Sequence, residues 1–296
     1  MVSNLLSQRE EYLKKKRRKK LFKYVIIFAL IILIIGIFSY VTHRPEIRIS
    51  KVELSGGALV KKDEVETETL SFLEGSYFWL VPKNNSFLYP QKKLENYLKD
   101  SFKRINTIEV SLKDLDVLQI NITEKKAVAI WCDTLPESQS LPPPEALMEN
   151  GSYKSEGFCY FMDQNGNIFA EAPYFSGDAY FKYYGLVQVS SDIGTPIGTF
   201  YISSTTKFAE ITDFIEKTKK LSLDPQYLIA KSQEEFLLII GGGGEIYFDT
   251  QKPLSVVSEN LETLLENPPL SKYKGKVLPV EYIDLRFGNK LFYKLR

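Results

Sequence analysis

Hydrophobic residues near the start of the chain form one long run without a charged position. The run extends from Tyr24 to Thr42, and the basic sequence KKKRRKK precedes it at Lys14–Lys20. At about 1.5 Å rise per residue it makes a helix of roughly 28 Å, which matches a bilayer core of about 30 Å. The pattern predicts a single transmembrane helix at residues 24–42, preceded by a basic tail at residues 1–23.

The distribution of charge predicts how this helix is oriented. Residues 1–23 contain nine Lys and Arg but only two Glu. The positive-inside rule therefore places the N-terminus in the cytoplasm and residues 44–296 outside the cell membrane. A cleaved signal peptide is the alternative, but the apolar run is longer than a usual signal core, and FSYVT lacks a small-x-small cleavage site. The cluster Lys14–Lys20 is expected to meet anionic lipid rather than nucleic acid.

Residues 45–125 show strand-like and helix-like patterns in the order β-α-α-β-β. Apolar positions alternate in the strand segments, whereas Leu94, Tyr97, Leu98 and Phe102 form a stripe at helical spacing. The predicted elements are a strand from Ile47 to Leu54 with a bulge at Ser50-Lys51, a helix at Val60–Leu73, a helix opened by Pro90, and strands at Ile108–Leu112 and Leu118–Ile122. These stripes predict a small α+β domain with one shared core.

Residues 126–296 predict a second domain, a mixed α/β sheet with helices packed on one of its faces. Asn165-Gly166 predicts a tight hairpin between two strands. The other predicted elements are helices at Thr206–Lys220 and around Val257–Leu265, and strands at Tyr227–Lys231, Phe236–Ile240, Glu245–Phe248, Tyr282–Phe287 and Lys290–Tyr293, the last two joined by Gly288-Asn289. Residues 133–157, with three consecutive prolines, are predicted to be a long exposed loop.

Composition argues against several classes of function. The net charge is +1 overall and −6 once the +7 of residues 1–23 is removed, which argues against a nucleic-acid-binding exported part. The only histidine, His43, follows the predicted membrane helix, so it cannot supply a Ser-His-Asp site or a zinc site in a folded cleft. Asp163 and Asp249 lie at predicted turns without matched acid–base spacing, and Gly241–Gly244 lacks the Lys-Ser/Thr and helix of a phosphate loop. We therefore predict no catalytic residue, metal, cofactor or small-molecule substrate.

The chain contains two cysteines. Cys132 ends the strand segment after Trp131, and Cys159 begins the strand segment before the Asn-Gly hairpin. If these strands are antiparallel neighbours, the two side chains lie opposite each other at a distance that suits a disulfide. The compartment outside the membrane permits oxidation. The alternative is a pair of buried free thiols, which behave as small apolar side chains.

Several short motifs, in this order, resemble the FtsQ/DivIB family of bacterial cell division proteins. They are KVELSGG, INITEKKAVAIW, FMDQNGNIF (Phe161–Phe169) and YIDLRF (Tyr282–Phe287). The family links its two domains by a strand ending in Glu and a Pro-Val-Ala-x-Trp stretch, and this chain has Glu124, Ala127, Val128, Ala129 and Trp131 at those positions. Lys126-Ala127 replaces the family's proline, and Leu115-Asp116 replaces its Trp-Pro. The resemblance is therefore to a divergent member.

The resemblance implies a fold and a function. It implies a POTRA domain at residues 45–125 and an FtsQ-type β-domain at residues 126–296, in a non-enzymatic scaffold at the division septum. The implied partners are FtsB/DivIC-like and FtsL-like single-pass division proteins, and the scaffold connects them to septal peptidoglycan synthesis. The implied mode of contact is addition of a partner strand to the last strands of the β-domain.

The same resemblance implies which residues bind the partner: Tyr282, Asp284, Arg286, Phe287, Leu291 and Tyr293. Arg286 would pair with an acidic residue, and Phe287 would cover the apolar side of the partner. Read without the family, Arg286 is a solvated strand charge and Phe287 is a core residue.

Two other classes remain open at this point. One is a POTRA-containing protein of polypeptide transport or secretion, which is expected to carry a β-barrel of alternating strands downstream. The other is a membrane-tethered cell-wall enzyme that uses carboxylates. Loss of peptidoglycan turnover on mutation of a single Asp would favour the enzyme.

Overall fold

One long helix, α1 (Val2–Thr42), begins the chain in the computed structural model, which describes residues 2–135, 158–173, 179–187, 194–288 and 290–296. Its segment Lys16–Thr42 is long and apolar enough to cross a membrane. The predicted mixed α+β class with one such N-terminal helix is confirmed. Most of the predicted loop at residues 133–157, namely 136–157, and the predicted turn residue Asn289 lie outside the described residues.

The chain divides into two units, residues 1–124 and 125–296. After α1, the first unit contains β1 (Lys51–Ser55), α2 (Lys62–Phe72), β2 (Ser76–Tyr77), β3 (Val81–Pro82), α3 (Gln91–Ser101), β4 (Ile105–Asp114) and β5 (Val117–Glu124). Strand β5 lies in the middle of a sheet of order β1-β5-β4, parallel to β1 and antiparallel to β4. Both α2 and α3 pack on the face that carries Leu118, Ile120 and Ile122.

The strand predicted from Ile47 to Leu54 is shorter in the structure. Pro45–Ile47 forms a 3-10 turn, closed by the Arg48 backbone N–H donating to Pro45 O at 3.3 Å, and β1 begins only at Lys51. Ile49 is nevertheless buried, with its N–H bonded to Asn84 O at 2.8 Å. The apolar spacing at Ile47 and Ile49 therefore reflects burial of a turn against the core rather than a pleated strand.

The second unit is built around nine strands in one sheet, in the order β14-β13-β12-β11-β10-β9-β6-β7-β8 among the described residues. Its elements are β6 (Ala129–Cys132), β7 (Cys159–Met162), β8 (Ile168–Ala172), β9 (Phe181–Gly185), α4 (Thr205–Lys220), β10 (Pro225–Ala230), β11 (Glu235–Ile240), β12 (Gly244–Asp249), α5 (Leu254–Glu266), β13 (Val280–Asp284) and β14 (Phe292–Leu295). Helices α4 and α5 contact each other. The main core contains Phe208 and Phe214 of α4, Leu261 of α5, and Leu238 and Ile246 of the sheet.

Both helices pack on the same face of this sheet, as predicted, and the opposite face is also apolar. A second cluster there contains Ile130, Cys132, Tyr184, Ile229 and Leu237. One row of directly paired residues crosses all nine strands on this face, running through Ala172, Cys159, Cys132, Tyr184, Ile229, Leu237, Tyr247, Asp284 and Phe292. The row connects the disulfide region to the C-terminal edge strand.

The two cysteines lie opposite each other in this row. Cys132 of β6 pairs in register with Cys159 of the antiparallel strand β7, and a disulfide joins their sulfur atoms. The arrangement follows from the hairpin-like pairing of these strands, because directly opposed residues of an antiparallel ladder have closely spaced side chains.

Candidate partner-binding edge

Strand β14 is the open edge of the nine-stranded sheet. It pairs only with β13 in the described residues, so the backbone N–H and C=O groups on its outer side have no strand neighbour. The other edge, β8, is partly covered: the Ile168 N–H donates to Thr199 O at 2.9 Å, and the Gly198 N–H donates to Ile168 O at 2.7 Å. Edge strands with unpaired backbone groups can receive a strand from another chain.

An open depression of about 1010 Å³ lies beside β14, and we call it the edge pocket. Its lining residues share one end of the sheet and the turn after β13, and they are Tyr247, Lys252, Tyr282, Asp284, Phe287, Gly288, Lys290 and Phe292. Tyr247, Asp284 and Phe292 are direct cross-strand neighbours in the row that crosses the sheet. The pocket is therefore the end of the apolar face where it reaches the open edge.

Arg286 and Phe287 lie in a turn, not in a strand as predicted. Strand β13 ends at Asp284, and the Asp284 carboxylate accepts a hydrogen bond at 3.1 Å from the backbone N–H of Arg286. Such a local bond from an Asp side chain competes with the sheet ladder and starts a turn. The sequence pattern could not reveal this competition, because YIDLRF alternates like a strand as far as Phe287.

The Arg286 guanidinium forms a double hydrogen bond with the same carboxylate. Its Nε donates to Oδ1 of Asp284 at 2.9 Å, and its Nη2 donates to Oδ2 at 2.6 Å. The guanidinium carbon also lies 5.2 Å from the centre of the Tyr247 ring, a cation–π distance. Arg286 is thus held in place by its own chain, rather than extended into solvent.

The pKa shifts of Asp284 and Tyr247 keep each of these groups in one protonation state at physiological pH. Burial raises the pKa of the Asp284 carboxyl, but its hydrogen bonds from Arg286 outweigh burial, so the net pKa lies below its ordinary value. A hydrogen bond with Glu245 is the main cause that raises the pKa of Tyr247 to about 12, and burial adds to it. At physiological pH the pocket therefore presents a carboxylate, a guanidinium and a neutral phenol.

Phe287 is exposed rather than buried in the core. Its side chain is 57% exposed, and its ring meets that of Phe292 edge to face at a centroid distance of 5.2 Å. Together the two rings form an apolar wall of the edge pocket. Exposed aromatic pairs of this kind are frequent anchors in protein interfaces.

The predicted partner-binding residues fall into two groups. Tyr282, Asp284 and Phe287 line the edge pocket, and Arg286 adjoins it through Asp284. Leu291 and Tyr293 instead pack against the main core on the helix side of the sheet. Strand alternation explains this separation, since Tyr293 pairs with buried Ile283, whereas its neighbour Phe292 pairs with Asp284.

Sequence reasoning missed five residues that line this pocket: Tyr247, Lys252, Gly288, Lys290 and Phe292. Alternation along β12 places Glu245 and Tyr247 on one face, but only the pairing of β12 with β13 brings them to Asp284. Lys252 and Lys290 are exposed and form no ion pair among the described residues. The pocket thus combines aromatic walls with two lysine ammonium groups that form no ion pair within the described part of the chain.

No protein-family model matches the sequence, and no curated protein matches it significantly. In the part of the chain that the structure describes, no group of three or more His, Cys, Asp and Glu side chains could hold a metal ion.

Proposed function

We propose that this chain is a membrane-anchored interaction protein of the FtsQ/DivIB kind that receives an extended partner segment on β14. The open edge of β14 beside the edge pocket is the observation that supports this proposal most directly. A partner strand added there gains main-chain hydrogen bonds from the edge, while the pocket selects its side chains. On this proposal the chain acts as a scaffold at the division septum and not as an enzyme.

The lining of the pocket suggests the chemistry of the partner segment. Phe287 and Phe292 favour apolar side chains, and the ammonium groups of Lys252 and Lys290 favour acidic ones. Arg286 already shares its charge with Asp284, so it contributes more by shaping the pocket than by attracting an acid from solution. We therefore propose an extended segment with alternating apolar and acidic residues from an FtsB/DivIC-like protein.

The order of elements in the first unit also supports the proposed family. In chain order this unit has a strand, two helices and two further strands. The three strands form one sheet with both helices on one face, and a two-stranded ribbon lies between the helices in the sequence. We propose that this unit is the POTRA domain of an FtsQ-like chain. Its N-terminal helix would anchor it in the cell membrane with the basic tail in the cytoplasm.

Site-specific photo-crosslinking in the native cells tests the proposed edge. A benzophenone side chain at Lys294, which is exposed on β14, should capture the FtsB/DivIC-like protein at the septum. The same group at Glu171, exposed on the partly covered edge strand β8, is the matched control and should capture none. Equal capture from both positions, or capture from Glu171 alone, would show that β14 is not the receiving edge.

Substitutions in the pocket give a second test with purified proteins. Phe287→Ala and Lys290→Glu should each weaken partner binding, Phe287→Ala by about 2 kcal/mol, the size of an interface hot spot. Lys219→Glu, an exposed change on the other face of the sheet at the end of α4, should leave binding unchanged. Arg286→Glu is less informative, because it also removes the two guanidinium bonds to Asp284 and places a second carboxylate beside it. Unchanged binding in both pocket variants, with unchanged thermal melts, would rule out this surface.

A further inference from the structure

A short ribbon of the first unit is fixed against the last turn of α1. Strands β2 and β3 form this ribbon, with Phe78, Trp79 and Leu80 at its tip. The hydroxyl of Ser39 in α1 donates to Leu80 O at 2.8 Å, and the hydroxyl of Thr42 lies 3.5 Å from the same oxygen. The tip of the ribbon is therefore tied to the helix by its backbone, next to the side chains that it projects.

The contact lies within the apolar run of α1 rather than beyond it. Ser39 precedes the end of the helix at Thr42 by three residues, which corresponds to about 4.5 Å along the axis. A second turn is tied to the same helix end, because Asn85 Nδ2 donates to Thr42 O at 3.1 Å. That turn projects Phe87 and Leu88, which are also exposed.

The two residues at the tip of the ribbon expose almost their entire side chains. Phe78 and Trp79 are each 92% exposed. Both have left-handed backbone conformations, with φ of 48° and 65°, which are energetically costly for bulky residues. A backbone conformation of this cost holds two large aromatic side chains away from the core of their own unit. Water does not offset the cost of this backbone conformation. An apolar environment does, because the two aromatic side chains are then removed from water.

We propose that Phe78 and Trp79 insert into the outer interface of the bilayer that α1 crosses, as a second membrane contact of the first unit. This proposal rests on the membrane anchoring put forward under Proposed function. The occupant is lipid, because the tip is hydrogen-bonded to the apolar helix that would itself be surrounded by lipid at that depth. Tryptophan suits this position, since its ring prefers the level of the headgroups, where one edge is apolar and the indole N–H is hydrated.

The insertion would give the first unit a defined orientation at the membrane. A single helix followed by a flexible connection allows the attached domain to rotate freely. Here the ribbon, the Asn85 turn and α1 form three fixed points around the helix end, so the sheet of the first unit would stand at a set angle to the bilayer.

Tryptophan fluorescence of the full chain in lipid vesicles tests the proposal. The chain has two tryptophans, Trp79 and Trp131, and Trp131 is only 6% exposed, so Trp131→Phe leaves Trp79 as the only reporter. The vesicles contain phosphatidylcholine and phosphatidylglycerol, with bromine atoms either near the headgroups or near the ends of the acyl chains. We expect Trp79 emission at short wavelength, protection from aqueous iodide, and stronger quenching by the bromines near the headgroups.

A matched control uses the opposite end of the same unit. Leu59 is 67% exposed, and its N–H bonds to Glu124 at the far end of β5, whose first residue Val117 pairs with Lys51 near the helix. In the Trp79→Phe/Trp131→Phe background, Leu59→Trp should emit like a water-exposed tryptophan and resist quenching by either bromolipid. If Trp131→Phe does not fold, the difference between the wild-type chain and Trp79→Phe supplies the same signal.

Three outcomes would overturn the proposal. Iodide quenching of Trp79 as strong as that of the Leu59→Trp reporter would place Trp79 in water. A blue-shifted emission without bromolipid quenching would show that protein, not lipid, covers the tip. Failure of the chain to float with the vesicles would remove the proposed membrane anchoring together with the insertion, whereas the first two outcomes leave the anchoring intact.

Discussion

At the residue scale, Asp284 organises the turn that forms the edge pocket. Its carboxylate accepts one hydrogen bond from the backbone of Arg286 and two from the guanidinium of the same residue. These bonds end β13 and direct Phe287 toward solvent, where it meets Phe292. One acidic side chain therefore determines both where the strand stops and which side chains the edge pocket presents.

Asp284→Asn should destabilise the second unit in a pH-dependent way. The folded pKa of Asp284 lies below its unfolded value of about 3.9, so its contribution is present above that pH and is lost as the pH falls through the folded value. At neutral pH the loss should be about 1–2 kcal/mol, because a partly buried guanidinium loses its charged acceptor. Urea unfolding of both proteins over a pH series should show the difference narrowing on acidification.

A matched substitution separates this effect from a general loss of charge. Glu281→Gln breaks the ion pair between Glu281 Oε2 and Lys294 Nζ, which are 2.6 Å apart. The side chains of Glu281 and Lys294 are 51% and 59% exposed. Exposed pairs contribute little, so its unfolding curve should stay close to that of the wild type at every pH. A stability difference for Asp284→Asn that is constant from acid to neutral pH would contradict the stabilising role given to the ionised Asp284 carboxylate.

Gly185 illustrates a backbone constraint at the same scale. Its φ is 78°, and an added Cβ would lie 2.4 Å from the backbone oxygen of Ala230 in the neighbouring strand β10. Gly275 has a similar φ of 74°, but an added Cβ there meets nothing within 4 Å. Gly275→Ala should therefore cost only the left-handed conformation, about 1–2 kcal/mol, whereas Gly185→Ala should cost more because β9 and β10 must separate. Thermal melts of the two variants give the comparison, and equal losses would show that the close approach is unimportant.

At the scale of elements, periodicity predicted the helices and most strands within a few residues. The amphipathic stripes of α3, α4 and α5 reflect burial on one side, which is a local property of the sequence. Strands β2, β3 and β9 were not predicted. The first two have two residues each, and FKYYG in β9 does not alternate in polarity. Short or doubly covered strands are specified by their neighbours, which a single sequence does not display.

The candidate site was predictable only in part, for the same reason. YIDLRF marked the region, yet Tyr247 and Phe292 join Asp284 through the sheet order β12-β13-β14, a non-local feature. The turn at Arg286 depends on the Asp284 side chain, which overrides a strand-like pattern. Long-range pairing and side-chain competition therefore account for the residues that pattern reading missed.

The disulfide between β6 and β7 leads to a prediction about stability at the same scale. Cys132 and Cys159 are 27 residues apart, so the bond should stabilise the folded second unit by about 3–4 kcal/mol on the chain-entropy model. Replacing both residues by Ser should lower the melting temperature, and adding reductant to the wild-type protein should have a similar effect. Intact mass after alkylation in denaturant gives the independent check: two alkylated thiols without reductant would show that the purified protein carries no disulfide.

At the scale of the whole molecule, each unit contains its own buried apolar cluster. Among the described residues, the buried side chains of the first core lie between Ile49 and Ile122, and those of the main core of the second unit lie between Ala129 and Leu285. The apolar side chains of helix α1 in the segment Lys16–Thr42 are mostly exposed, because they do not pack against the rest of the protein. Exposed apolar surface on this scale is characteristic of membrane contact.

The proposed topology predicts a specific pattern of protease sensitivity. Protease added to cells stripped of their wall should digest residues 44–296 and leave an epitope on residues 1–23 intact, since the basic tail is held in the cytoplasm. Permeabilising the membrane should expose the epitope and serves as the control. A mature N-terminus near residue 43, or an epitope that is lost before permeabilisation, would contradict an uncleaved anchor with the tail inside.

The unequal edges of the nine-stranded sheet limit how large an assembly it can build. Head-to-tail growth of a sheet requires an open edge at both ends, so that each added copy offers a new template. Residues 198–200 pair with Asn167 and Ile168 at the start of β8, so that edge is blocked there, whereas no described segment covers β14. Two copies that met through β14 would form a closed pair, and a fibre would have to grow past the blocked start of β8. The sheet is therefore better suited to one added strand or a closed pair than to a polymer.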